Sequence, residues 1–165
     1  MAQAFPRSRF TGYDFSNEGI NTAQAEARQL GLTNSHFEVQ DVSLLDIQNH
    51  FDFITAFDSI HDQTRPAAVL KTIERALRPG GVFLMLDIRA SSKLEENLKH
   101  PLGPFLYTIS CNHCMTVSLA YDGAGLGTMW GEQVASQMLQ EAGFAQIEVK
   151  HVEDDISNSY YIASK

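Results

Sequence analysis

The sequence is poor in cysteine, in positive charge and in long apolar runs, and each shortage excludes a class of protein. With 2 cysteines among 165 residues, it lacks the disulfide framework of a small secreted protein. It has 12 Lys and Arg against 20 Asp and Glu, a net charge of -8, which disfavours a general binder of nucleic-acid phosphates. No apolar run approaches the ~20 residues of a membrane span, and the N-terminal residues lack the apolar centre of a signal peptide. We therefore expect a cytoplasmic protein that binds neither nucleic acid nor membranes.

What is present indicates a single α/β domain over residues 1–165. A hydrophobic fraction of 44% suits one core. Short apolar runs alternate with segments of helical periodicity, which is typical of a parallel sheet joined by crossover helices. The predicted strands are 8–13, 36–39, 53–57 and 82–86, the last of which ends at Asp87. The predicted helices between them are 17–30, with Ser16 as its N-cap, and 64–77. Residues 91–119 are expected as a helical insertion over the strand ends, followed by a helix at 132–141 and an antiparallel pair of strands, 145–151 and 159–163.

The stretch Phe51–Gln63 combines an apolar run with a polar cluster. Residues 53–57 show no polar alternation, which predicts an interior strand covered on both faces. Asp58, His61 and Asp62 follow at its carboxyl end, where open α/β sheets bind ligands. Because an imidazole has an ordinary pKa of about 6.5, His61 with Asp62 is a candidate general base. The alternative is a His61 that caps the next helix or faces solvent.

Five stretches, in this order and at this spacing, resemble the class I S-adenosylmethionine-dependent methyltransferases over nearly the whole chain. They are TGYDFS, FEVQDV, FDFITAFDSIHDQ, ALRPGGVFLMLD and GLGTMWGEQVASQMLQEAGF. The resemblance implies a three-layer, doubly wound, mostly parallel sheet of the Rossmann-like methyltransferase type, with an antiparallel last strand. It also implies methyl transfer from S-adenosylmethionine to a small-molecule acceptor, which the sequence does not identify.

The same resemblance assigns contacts to the cofactor. Asp14 matches the acidic residue that holds the ribose hydroxyls, and Phe15 would lie against the adenine. Asp41 matches the residue that receives the adenine amino group, with the Val42 backbone beside it. Without the family pattern, Asp14 and Asp41 are equally well explained as loop carboxylates at strand ends. Phe57 and Asp58 belong to the segment that matches the one flanking the methionine part of the cofactor. The candidate cofactor contacts are therefore Asp14, Phe15, Asp41, Val42, Phe57 and Asp58.

Two aromatic residues are candidates for the acceptor pocket. Trp130 follows a glycine-rich loop whose backbone could approach a bound molecule closely. The alternative for Trp130 is a place in the core, at the turn into the next helix. Tyr107 lies in the apolar segment 105–109, which forms a lid or else covers exposed apolar surface or a partner.

Cys111 and Cys114 do not predict a metal site. Structural zinc takes about four ligands, and no second Cys or His pair occurs at suitable spacing. Residues at i,i+3 share one face of an α-helix, so we expect both cysteines to be small buried hydrophobes.

The chain departs from the family in one respect, because it begins after the first strand, the G-x-G-x-G loop and the first helix. In the family that strand is central, and burying about five apolar side chains there is worth on the order of 10 kcal/mol. We therefore expect TGY (11–13) to pair with FITAF (53–57) in a six-stranded sheet, or a second copy to supply the missing contacts in a homodimer. We also expect weak or absent cofactor binding by this chain alone. The alternative function is a non-catalytic module that completes its sheet by homodimerisation or with a partner chain, and a fragment of a longer protein is a third interpretation.

Overall fold

A computed structural model describes all of residues 1–165 and divides them into two compact units, Met1–Leu45 and Asp46–Lys165. The first unit is a strand, a helix and a strand: β1 (Phe10–Asp14), α1 (Asn17–Gln29) and β2 (Ser35–Val39), followed by a 3₁₀ turn at Val42–Leu44. The two strands are parallel, with Asp14 opposite Val39. The Ser16 side chain caps α1 by accepting a hydrogen bond from the Gly19 N–H at 3.0 Å, as the sequence predicts.

The second unit contains a four-stranded mixed sheet. Its elements are β3 (Phe51–Phe57), α2 (Pro66–Ala76), β4 (Leu77–Ile88), α3 (Gly103–Ile109), α4 (Met115–Ala120), α5 (Gly131–Ala142), β5 (Gln146–Lys150) and β6 (Asn158–Ser164). A 3₁₀ helix at Leu94–Lys99 precedes α3, and a π-helix at Ser110–Cys114 joins α3 to α4. The strand order is β3-β4-β6-β5, in which β3 and β4 are parallel and β6 is antiparallel to both of its neighbours.

The core of the second unit lies on β4 and β6, the two interior strands. Phe83 and Met85 of β4 and Ala163 of β6 are fully buried. The Phe83 ring stacks on Phe144, which follows α5, with 5.7 Å between ring centroids. The Rossmann-like α/β fold and its antiparallel last strand, both predicted from the sequence, are confirmed.

Two predictions about β3 are wrong. It does not pair with β1 in a six-stranded sheet, since β1 pairs with β2 and β3 pairs with β4, in two separate sheets. Nor is β3 an interior strand, because it forms one edge of its sheet and Phe53 and Phe57 are 49% and 51% exposed. An apolar run reports strand propensity but not whether both strand edges are paired, and this is the reason for both errors.

The insertion between β4 and α5 covers the segment that follows β3, as predicted. Ser118 of α4 donates its hydroxyl to the Gln63 carbonyl at 3.2 Å. Ala124, in the glycine-rich loop, donates its N–H to the Thr64 carbonyl at 3.0 Å. None of the helices combines the length and the apolar character needed to cross a bilayer.

Candidate active site at the carboxyl ends of two parallel strands

The candidate site is built at the edge where β3 and β4 end side by side. Their register places Phe57 opposite Leu86, so the next residue of each strand, Asp58 and Asp87, comes at the same level. Asp58 has a φ of 47° and donates its N–H to the Leu86 carbonyl at 2.9 Å. This left-handed residue ends β3 and turns the chain back toward β4.

His61 lies on that turn and forms a buried pair with Asp87. The imidazole is 4% exposed and Asp87 is fully buried, with 2.7 Å between His61 Nδ1 and Asp87 Oδ1. Asp87 Oδ1 also accepts the Ile88 N–H at 2.8 Å, whereas Oδ2 is buried without a hydrogen-bond partner. The carboxylate therefore fixes the ring orientation and favours the tautomer with the proton on Nδ1.

Opposing effects act on the pKa values at this edge. Burial lowers the pKa of His61, but the hydrogen bond and charge of Asp87, with the charges of Asp62 and Asp58, raise it above its ordinary value overall. The pKa of Asp58 is also raised, first by burial and then by the charge of Asp87. Three carboxylates surround one imidazole, and this concentration of negative charge favours a proton or another cation among them.

Asp62 and Cys114 lie on the other side of the imidazole. Asp62 Oδ1 is 3.4 Å from His61 Nε2, and this oxygen is buried without a hydrogen-bond partner although the side chain is 36% exposed. Cys114 is buried at the end of the π-helix, and its Sγ accepts the Thr128 hydroxyl at 3.1 Å. Burial raises the pKa of the Cys114 thiol.

The structure contradicts both alternative positions for His61, while its role as a general base stays a prediction. The side chain does not face solvent, and its ring nitrogens face Asp87 and Asp62 rather than the first turn of α2. Sequence analysis missed Asp87 as a partner, although it placed this residue at the end of a strand. The usable signal was that two adjacent parallel strands must end at one edge.

In the first unit, the predicted cofactor residues lie at the strand ends. Asp14 ends β1 and accepts the Ser16 N–H through Oδ1 at 2.8 Å, and the Phe15 side chain is 75% exposed. Asp41 follows β2 and accepts the N–H and hydroxyl of Ser43 through Oδ1, capping the turn that begins at Val42. Each carboxylate thus has a local backbone role that is independent of any ligand.

Tyr107 lies within the insertion between β4 and α5, and Trp130 lies at its end. Trp130 is 5% exposed at the start of α5, which matches the alternative that places its indole in the core. Tyr107 packs beside the apolar cluster of Ala90, Leu106 and Met129, and its hydroxyl accepts a hydrogen bond from the Asn97 side chain at 3.0 Å. Their role as acceptor contacts stays a prediction.

The spacing G-x-G-x-G does occur in the chain, at Gly123, Gly125 and Gly127. It follows α4 rather than a strand. A Cβ at Gly125 would meet Leu119 at 2.8 Å, and one at Gly127 would meet the side chains of Ser110 and Met115. These glycines let the loop pack against the π-helix and α4, so they do not provide the family's cofactor loop.

Comparison with known proteins now decides the family. A family model described as a methyltransferase domain matches residues 1–143, which include both units' strand ends described above. The chain belongs to the class I S-adenosylmethionine-dependent methyltransferases.

The relatives of this chain differ in the reactions for which they are named. A fatty-acid O-methyltransferase of Mycolicibacterium smegmatis is 31% identical over 96 residues, 58% of this chain and 34% of the relative. A ubiquinone/menaquinone biosynthesis C-methyltransferase of Shewanella is 24% identical over 148 residues, 87% of this chain and 59% of the relative. The chain thus spans less than two thirds of the length of either relative.

A solved structure supports the fold of this chain. The S-adenosylmethionine-dependent methyltransferase of Methanosarcina mazei superposes with a TM-score of 0.67 at 19% identity, covering 99% of this chain and 85% of that one. At this level of identity the likeness concerns the fold alone.

Proposed function

We propose that this methyltransferase transfers a methyl group from S-adenosylmethionine to a small-molecule acceptor, and that His61 takes the acceptor's proton. The observation that carries the proposal is the buried His61–Asp87 pair at the carboxyl ends of β3 and β4. In open α/β sheets this edge binds ligands, and a buried carboxylate that orients an imidazole is the arrangement a general base requires.

The residues of the pair have distinct roles in this proposal. Asp87 Oδ1 holds the His61 Nδ1 proton, which leaves the lone pair of Nε2 for the proton that the acceptor loses. Asp87 also stabilises the imidazolium that results. Asp62, 3.4 Å from Nε2 and partly exposed, provides a route by which that proton passes to solvent. S-adenosylmethionine, when bound, supplies the methyl group of its sulfonium.

Residues of the first unit have the chemistry needed to hold the adenosine part of the cofactor. An exposed carboxylate such as Asp14 can accept hydrogen bonds from two adjacent ribose hydroxyls. Asp41 can accept from the adenine amino group, and the exposed Phe15 ring offers a face for stacking. These 165 residues hold no G-x-G-x-G loop that follows a strand, so we propose that on their own they bind the cofactor weakly.

The test is methyl transfer to a panel of acceptors at millimolar S-adenosylmethionine with a labelled methyl group. The relatives' names suggest a panel of carboxylic acids, phenols and quinols. Labelled product is expected with the unchanged protein, and His61→Gln should lower its rate by about 10²- to 10⁴-fold, the range of general-base catalysis. The matched control is His36→Gln, which alters an exposed histidine of β2 and should leave the rate unchanged. Equal rates in both variants would remove His61 from the mechanism.

A non-catalytic module that completes its sheet with a second copy is the alternative function. The free edge of β3, with Phe53 and Phe57 half-exposed beside it, favours this alternative, because exposed apolar edge strands are templates for pairing. Sedimentation should then show a dimer that dissociates on dilution and that Phe53→Lys abolishes, while Phe105→Lys on the exposed side of α3 leaves it intact. A monomer at all concentrations would exclude the homodimer.

A further inference from the structure

We propose that His61, Asp62 and Cys114 form a binding site for a divalent cation of the zinc type. One ring nitrogen of His61, one carboxylate oxygen of Asp62 and Cys114 Sγ lie within 4.8 Å of one another, and His61 Nε2 is 3.4 Å from Asp62 Oδ1. Neither the family match nor the site described above assigns a metal to these residues. The site differs from the Cys111–Cys114 pair of the sequence, since it combines the turn that follows β3 with the last residue of the π-helix.

The distance between the ligand atoms of His61 and Asp62 matches zinc coordination. Bonds of about 2.0–2.2 Å in a tetrahedron place nitrogen and oxygen ligands about 3.4 Å apart. The observed separation between His61 Nε2 and Asp62 Oδ1 is 3.4 Å, which is long for a hydrogen bond. A cation between the two atoms satisfies both of them.

An unpartnered polar atom points to the same conclusion. Asp62 Oδ1, the atom 3.4 Å from His61 Nε2, is buried without a hydrogen-bond partner. Such an atom is costly unless a proton or a cation compensates it. One carboxylate and one thiolate carry two negative charges, which balance a divalent cation bound to a neutral imidazole.

Surrounding residues orient the proposed ligands as they do in zinc proteins. Asp87 accepts the Nδ1 proton of His61, so that Nε2 faces the cluster, in the carboxylate–histidine–metal arrangement. Thr128 donates its hydroxyl to Cys114 Sγ at 3.1 Å, which fixes the position of the sulfur. The π-helix turns Cys114 inward while Cys111 stays exposed, and π-helical turns are frequent at functional sites. Three protein ligands leave the fourth position open to water or to another small ligand.

The preference for zinc follows from the ligands. Imidazole and thiolate favour Zn²⁺ or Co²⁺ over Mg²⁺ and Ca²⁺, which take oxygen ligands. A zinc ion bound to Nε2 would also keep His61 from accepting a proton. This last consequence rests on the proposed function: bound zinc should inhibit methyl transfer, and Cys114→Ser should relieve that inhibition.

Cobalt spectroscopy on the untagged, EDTA-treated chain tests the site. On titration with Co²⁺, a sulfur-to-cobalt charge-transfer band should grow until one equivalent of Co²⁺ is bound. Zn²⁺ should abolish this band, and excess Mg²⁺ should not. Cys114→Ser should lose the band, and Cys111→Ser, three residues away and exposed, should keep it. His61→Gln should weaken Co²⁺ binding at least tenfold, whereas His113→Gln, on the exposed side of the π-helix, should not.

Two results would overturn the metal site. One is the absence of the band in the unchanged protein, and the other is a band that survives Cys114→Ser. Zinc binding that leaves methyl transfer unaffected would support the metal site and count against His61 as the base, so the two proposals fail separately.

Discussion

His61 and Asp87 are 26 positions apart in sequence and 2.7 Å apart in space. A histidine and an aspartate can take many roles in a protein. The burial of this pair is the observation that narrows them. When a charged or strongly polar pair is removed from water, each of its members is stabilised mainly by the other. The loss of either member is therefore costly. The pair is therefore a structural element of the second unit as well as a candidate catalytic one.

Asp87→Asn should lower the free energy of unfolding by about 3–5 kcal/mol, the range for breaking a buried charged pair. The amide keeps the volume of the side chain but not its charge, and it changes the preferred proton position on His61. Urea unfolding monitored by tryptophan fluorescence measures the effect. Asp52→Asn, which alters an exposed pair with Arg78, is the matched control and should cost at most about 1 kcal/mol. Equal losses in the two variants would contradict the description of a buried charged pair.

Asp155 gives the protein a stability contribution that depends on pH. Hydrogen bonds from the Asn158 side chain and the Tyr160 hydroxyl, with those from the Ser157 and Asn158 backbone, hold the pKa of Asp155 below its ordinary value. A lowered folded-state pKa stabilises the protein above the unfolded-state pKa, and this gain is lost as the pH falls through the folded-state value.

The advantage in Tm of the unchanged protein over Asp155→Asn should therefore be largest above about pH 5 and should shrink below about pH 4, where an unfolded Asp titrates. Differential scanning calorimetry between pH 3 and pH 7 measures it. Asp154→Asn, at the preceding residue, controls for the removal of one surface charge. An advantage that is constant with pH would show that the hydrogen bonds do not depend on the charge of Asp155.

Single residues show where sequence analysis succeeds and fails. Ser16 was recognised as a helix cap because the cap is a local interaction. Cys114 was correctly expected to be buried, but Cys111 is exposed, because the segment is a π-helix and the i,i+3 rule holds for α-helices. Asp87 was missed because its partner is set by strand register, which a single sequence does not specify.

At the scale of elements, helices and strands were predictable and sheet pairing was not. The predicted segments coincide with β1, β2, α2, α5 and β6 to within a few residues, since apolar periodicity is a local signal. β3 was placed correctly along the chain but not in the sheet, because an edge strand and an interior strand share the same β-forming composition. The insertion was expected over the strand ends, but its 3₁₀ and π segments carry no distinct sequence signal.

The entry into α5 depends on one glycine. Gly131 has a φ of 82°, and a Cβ there would overlap the backbone of Ser91 and Ser92. Gly31 also has a positive φ, of 65°, but a Cβ there has nothing within 4 Å. The two positions thus separate backbone strain from steric overlap.

Gly31→Ala should cost about 1–2 kcal/mol from the left-handed conformation alone, and Gly131→Ala should cost more because the Ser91–Ser92 backbone must also move. Urea unfolding of each variant measures the difference. Equal costs would show that the segment around Ser92 yields freely and that α5 is not held in place by this close approach.

At the scale of the whole molecule, the family match and the two sheets establish the family and the fold. They do not establish how strongly the chain binds the cofactor. The first unit has carboxylates at the ends of β1 and β2. The second unit has the buried pair at the ends of β3 and β4. In this proposal the first unit holds the adenosine part of the cofactor. For the methionine part the only candidate contacts are Phe57 and Asp58, because the chain has no G-x-G-x-G loop that follows a strand.

Saturation-transfer NMR with S-adenosylhomocysteine tests this assignment most directly, because it detects weak binding and reports which ligand protons contact the protein. The account predicts strong saturation of the adenine and ribose protons, weak saturation of the homocysteine methylene protons, and a loss of signal in Asp14→Ala that Glu26→Ala on α1 does not share. Saturation that is strongest on the homocysteine tail, or absent from the whole ligand, would contradict it.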